Sequence, residues 1–80
     1  MTEVRVPETL WADSILPEGV LEVWRRHDGT RVNIGSCLAD VRIEDALHEI
    51  TAPTAGRLHI MVRSNSVIEP GTIIGRIDPS

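Results

Sequence analysis

The 80-residue chain carries 41% apolar and 25% charged residues with a formal net charge of -4, the make-up of one small globular domain over residues 1–80 rather than a multidomain enzyme. With no Tyr, no Phe and only Trp11 and Trp24, the core has to come from Val, Ile and Leu, and no disulfide can staple it, because Cys37 is the sole cysteine. All eight basic residues are arginines scattered over an acidic background, which argues against the basic stripe of a nucleic-acid binder.

The first twenty residues include Glu3, Arg5, Glu8, Asp13 and Glu18, a composition foreign to a secretory leader. No apolar run approaches the ~20 residues of a membrane span. A reducing, cytoplasmic setting is therefore expected, with no membrane partner. Turn formers follow at short intervals: Pro17-Glu-Gly19, Asp28-Gly29, Gly35-Ser36, Pro53-Thr-Ala-Gly56, Ser64-Asn-Ser66 and Pro70-Gly71. The segments between them are too short for typical helices and rich in Val, Ile and Leu, which suit a pleated, half-buried surface. Leu21 and Val23 alternate with other neighbours, and Leu58, Ile60 and Val62 do the same within Arg57–Arg63. The rival for a helix is Ile43–Ile50, where Ile43, Leu47 and Ile50 fall at i, i+4 and i+7. Such a piece is barely two turns long and marginal without tertiary support.

An internal repeat favours strands throughout. Gly35-Ser-Cys-Leu-Ala-Asp-Val41 recurs 36 positions later as Gly71-Thr-Ile-Ile-Gly-Arg-Ile77. Gly19-Val-Leu-Glu-Val23 recurs 37 positions later as Gly56-Arg-Leu-His-Ile60. Two similar halves predict an all-β flattened barrel or two-sheet sandwich with pseudo-twofold symmetry. Pairing of Val41 with Ile50 as strand ends would place Glu44-Asp45 at the tip of a protruding hairpin that links the halves.

Few residues suggest chemistry. His27, His48, His59 and Cys37 form no paired ligand motif, so no metal site is expected. His48 and His59 alternate with apolar neighbours and are expected to face solvent, whereas Cys37, whose repeat partner is Ile73, is expected inside. A Cys-His nucleophile has no recognisable context here, and an 80-residue shell leaves little room for substrate. Glu44 and Asp45 are adjacent on a turn, without burial to separate them into acid and base. Gly71 to Gly75 lacks the spacing and the lysine of a phosphate loop. No catalytic residue is assigned, and no enzyme is expected.

Beyond these patterns, the chain resembles the biotinyl and lipoyl carrier domains of carboxylases and 2-oxo acid dehydrogenase complexes over nearly its whole length. Val4-Arg-Val-Pro7 looks like the family's opening strand, Glu18-Gly-Val-Leu-Glu-Val-Trp24 like its second, and Asp28-Gly-Thr-Arg-Val32 like the turn that follows. Gly35–Val41 looks like the strand entering the carrier hairpin. Ala52-Pro53-Thr-Ala-Gly56 matches the family's Ala-Pro-x-x-Gly, and Val67-x-x-Pro-Gly71-x-x-Ile74-x-x-Ile77 its closing segment. His48–Pro53 looks closer to biotinyl members; Val6-Pro7 and Trp24 look closer to lipoyl ones. The resemblance implies a barrel-sandwich hybrid of two four-strand halves.

The resemblance also implies where the chain departs from its family. Counting back from Ala52-Pro53, the place of the modified lysine falls on Asp45, within Glu44-Asp45-Ala46, and the chain has no lysine to slide into register. Biotin or lipoate would be the family's cofactor, but a carboxylate cannot form the amide that attaches it, so no cofactor is expected. Family loops after the first strand lie beside the lysine hairpin and help partner enzymes recognise the carrier. Here that loop, Glu8–Pro17, is about two residues longer than in lipoyl members and holds Leu10, Trp11, Ile15 and Leu16. Glu44, Asp45 and Ala46 would form an acidic docking tip, and Leu10 and Trp11 an exposed apolar patch beside it. The alternative is that Leu10 and Ile15 fold back over the open end of the core. The implied function is a non-catalytic binding or assembly module for a carboxylase or 2-oxo acid dehydrogenase subunit. Two alternatives stay open: a carrier modified on a residue other than lysine, such as Cys37 or a serine, and a diverged structural module.

Overall fold

The computed structural model describes residues 1–79. Its strands are β1 (Thr2–Arg5), β2 (Gly19–Trp24), β3 (Arg31–Val32), β4 (Cys37–Ile43), β5 (Ala46–Thr51), β6 (Gly56–Ile60), β7 (Ser66–Ile68) and β8 (Ile73–Asp78). One 3-10 turn, Glu8–Trp11, follows Pro7 in the β1–β2 connection, and the described residues contain no α-helix. The helical spacing in Ile43–Ile50 is thus the pattern of two strands and a turn: Ile43 and Ile50 are buried and Leu47 is exposed.

The strands form two antiparallel four-stranded sheets, ordered β1-β8-β6-β3 and β5-β4-β2-β7. Replacing each of β1 to β4 by its counterpart among β5 to β8, and the reverse, turns one order into the other. Each sheet therefore takes two strands from each half of the chain, which is the pseudo-twofold arrangement that the repeat predicts. The detail extends to single bonds. The amide of Gly71 donates to Val6 and that of Val6 to Thr72, just as Gly35 donates to Ala52 and Ala52 to Ser36, all across 2.8–3.0 Å. A register shift between Val4 and Arg5 opposite Gly75 and Ile73 matches one opposite Ile50 and Thr51 between Ala39 and Cys37. At one turn Gly29, at φ 86°, donates to Leu58; at the matching turn Asn65, at φ 70°, donates to Leu21. Asn is among the few side chains that tolerate this left-handed conformation.

The core between the sheets is aliphatic, as composition requires. Leu21, Leu38, Val41, Leu58, Ile68, Ile74 and Ile77 are almost wholly sequestered. One conformational requirement stands out at Gly56, the last residue of Ala-Pro-x-x-Gly. It sits at φ +151°, and a Cβ there would lie 2.2 Å from the Asp78 carbonyl oxygen. Only glycine lets β6 come so close to the end of β8.

The two halves differ most in one connection. β5 passes to β6 through residues 52–55, whereas β1 passes to β2 through residues 6–18. This long connection, not the repeat, decides what surrounds the hairpin between β4 and β5.

Candidate functional site

β4 and β5 form a hairpin closed by two residues. Ile43 pairs with Ala46, Arg42 with Leu47 and Val41 with His48, leaving Glu44-Asp45 at the tip. The tip position agrees with the sequence reading, but the register differs: Ile50 faces Ala39, not Val41. A two-residue turn consumes fewer residues than pairing of Val41 with Ile50 would leave between the strands. Glu44 adopts φ 54°, a left-handed conformation that an L side chain pays for with roughly 1 kcal/mol. Glu44, Asp45 and Ala46 are all exposed.

The β1–β2 connection lies against this tip. The amide of Ile15 donates to Glu44 Oε2 across 3.1 Å, tying loop to hairpin. Between them is a groove of about 520 Å³, lined from the loop by Thr9, Leu10, Asp13 and Ser14 and from the hairpin by Ile43, Glu44, Asp45 and His48. The expected proximity of loop and tip is therefore present.

The expected exposure of Trp11 is not. Its indole is 8% exposed, joins the core, and donates from Nε1 to the Glu18 carbonyl across 3.1 Å. Gly19 makes room for it: a Cβ there would stand 3.1 Å from the Trp11 ring. Trp11 is thus the plug at the open end of the sandwich, because the indole can bury a large apolar surface once its one donor finds a carbonyl. Leu10 packs half-buried on the same core. Ile15 does not fold back; it is 90% exposed and Leu16 60%. These two, rather than Leu10 and Trp11, supply the loop's exposed apolar surface.

The other sequence candidates sit elsewhere. Cys37 is half-buried rather than interior, because the irregularity between Cys37 and Ala39 breaks the in-and-out alternation of β4. Burial pushes its thiol above the ordinary range, reinforced by a hydrogen bond to Glu49 and the negative charge of Glu49 and Asp40; Arg25 opposes the shift. Sequence reasoning overlooked Asp40 itself, which is 3% exposed on β4 and paired with the Arg25 guanidinium. The ion pair raises the pKa of Arg25, first through its hydrogen bond to Asp40. His59 is half-buried and reaches Asp78 Oδ2 at 2.9 Å. His27 is exposed and His48 half-buried. Among the described residues no three His, Cys, Asp or Glu side chains converge as metal ligands would.

No model of a known protein family matches the chain. Among solved structures, it superposes on the lipoyl domain of the 2-oxoglutarate dehydrogenase complex from Azotobacter vinelandii with a TM-score of 0.78, over 98% of this chain and 96% of that one. The fold is that of a lipoyl domain. Sequence identity across this lipoyl-domain superposition is 15%, so the likeness is one of architecture. A lipoyl group held through a lysine amide needs an amine, and the tip of this lipoyl fold carries only the carboxylates of Glu44 and Asp45. The residues present do not fit such a group. What they offer is negative charge and hydrogen-bond acceptors on a protruding, braced turn. No helix among the described residues is long and apolar enough to cross a membrane.

Proposed function

We propose that the chain is a lipoyl-like domain that has exchanged its attachment lysine for Asp45 and acts as a non-catalytic binding or assembly module for a biotin- or lipoate-dependent multienzyme system. The observation that carries this reading is the tip itself: Glu44-Asp45, exposed on a two-residue turn and tied to an apolar loop through the Ile15–Glu44 bond. An architecture built around a protruding hairpin is retained, while the hairpin's chemistry is changed from nucleophilic amine to carboxylate. Acid–base catalysis by a carboxylate pair needs two unlike environments, and both carboxylates here stand in solvent. Ile15 and Leu16 beside the tip add the apolar surface on which protein contacts gain most of their energy. The partner class is a carboxylase or 2-oxo acid dehydrogenase subunit.

Native mass spectrometry of the protein taken gently from its own cells tests the proposal. A bare polypeptide mass bound to a carboxylase or dehydrogenase subunit is the expected result. A covalent biotin, lipoyl or acyl adduct overturns it in favour of a carrier modified on another side chain. A bare mass without any such subunit also counts against it.

A further inference from the structure

β5 is an edge strand, paired with β4 on one side only. In a two-residue hairpin the residues flanking the turn bond to each other, so Ala46, His48 and Ile50 spend their backbone groups on β4. The N–H and C=O groups of Leu47, Glu49 and Thr51 point the other way, and among the described residues they find no backbone or side-chain partner. With six residues β5 is longer than β1, β3 or β7, the other strands at sheet edges. Ala46 and His48 also line the 520 Å³ groove against the loop, so the space flanking this strand is open rather than filled.

We infer that β5 takes up an extended, basic segment of a protein partner as a fifth strand of its sheet. This rests on the binding-module reading above and says how the partner is held. Main-chain bonds to Leu47, Glu49 and Thr51 supply the attachment, and alternate side chains of the added strand enter the groove beside Ala46 and His48. Charge selects the occupant. Asp13, Glu44 and Asp45 rim the groove, none of them in an ion pair among the described residues, whereas on the outer face Glu49 shares a hollow with Arg25, Arg26 and Asp40. Cationic residues on the groove-side face of the segment answer these three carboxylates. A second copy of this chain does not, because a twofold pairing of β5 with itself through its outward groups sets Glu49 opposite Glu49, and like charges directly opposed destabilise a sheet.

The test is titration of the ¹⁵N-labelled chain with the capped heptapeptide Lys-Val-Lys-Val-Lys-Val-Lys, following amide shifts and hydrogen exchange. Expected are shifts and slowed exchange at Leu47, Glu49 and Thr51. Methylation of alternate peptide nitrogens should weaken binding at least about tenfold, and Asp13→Lys at the groove rim should do so with shifts in the free chain confined to its neighbours. Equal affinity for the methylated peptide overturns the inference. So do shifts confined to Glu44 and Asp45, which would leave the broader binding reading standing, and so does self-association through β5 in sedimentation. Peptide addition at β5 in a chain found to carry a covalent cofactor would instead sink the broader reading and leave strand addition intact.

Discussion

The amide of Ile15 and the carboxylate of Glu44 meet across 3.1 Å, joining the longest connection of the fold to the tip of its most prominent hairpin. The same Glu44 holds a left-handed backbone at φ 54°. One residue thus combines a favourable side-chain bond with an unfavourable main chain. Replacing Glu44 with Gly separates the two. Relief of the backbone is worth about 1 kcal/mol, and an exposed charged hydrogen bond about 0.5 kcal/mol. Glu44→Gly should leave global stability in urea unchanged or slightly raised, while hydrogen exchange at Ile15 accelerates. Slower exchange at Ile15 would show that the bond does not brace the loop.

Trp11 should behave as a core residue. Trp11→Ala removes a buried indole and is expected to cost about 3–5 kcal/mol, as much as a domain of this size holds in reserve. Trp11→Phe keeps most of the buried area and loses only the bond to the Glu18 carbonyl, at about 1–2 kcal/mol. Equilibrium denaturation of the two variants measures both. An Ala variant as stable as the parent would contradict the plugging role.

Two glycines at matching places in the halves should tolerate a methyl group unequally. At Gly56 the added Cβ meets a backbone oxygen at 2.2 Å, which cannot yield; at Gly19 its nearest neighbours are at 3.1 Å, and two of the three are side-chain atoms. Gly56→Ala should cost more than about 3 kcal/mol and Gly19→Ala about 1 kcal/mol. Thermal denaturation of the pair decides it, and the reverse order would contradict the close approach of β6 and β8.

The thiol of Cys37 titrates higher in the folded chain than when unfolded, chiefly through burial. Between the two values the native state keeps a proton that the unfolded state has released. Stability is therefore complete below about pH 8.5 and falls as pH rises beyond it. Denaturation midpoints from pH 7 to 10 should show this decline, and Cys37→Ser should flatten it. Alkylation by iodoacetamide at pH 8 should likewise be slower in the native chain than in urea. A native thiol that reacts as fast as the denatured one would exclude the shift.

What was legible in the sequence was whatever repeats or turns. The recurrence of Gly19–Val23 at Gly56–Ile60 and of Gly35–Val41 at Gly71–Ile77 identifies β2 with β6 and β4 with β8, and with them the two-sheet architecture. The tip at Glu44-Asp45 follows from short polar residues between apolar runs. Hidden were features set by contacts distant in the chain. Trp11 reads as an exposed loop aromatic until Gly19 is seen to clear a place for it. Leu38, Ala39, Asp40 and Val41 are consecutively buried, so alternation does not single out Asp40, and its partner Arg25 lies on another segment. Cys37 shows the same limit, since one irregularity in β4 moves it out of the position that its repeat partner suggests.

The way the halves exchange strands also bears on how the chain reaches its native state. β1 pairs with β8, setting Thr2 opposite Ile77, and among the described residues the β4–β5 hairpin is the sole pairing between strands that follow one another. Each half pairs only two of its own strands, β2 with β4 and β6 with β8, and neither can complete a four-stranded sheet by itself, so long loops must close before the sheets are finished, which makes for slow folding with a single cooperative transition. The hairpin is exempt from that delay. The segment from Cys37 to Thr51 is the natural place for order to begin, and the exposed tip is then made by the first element to form.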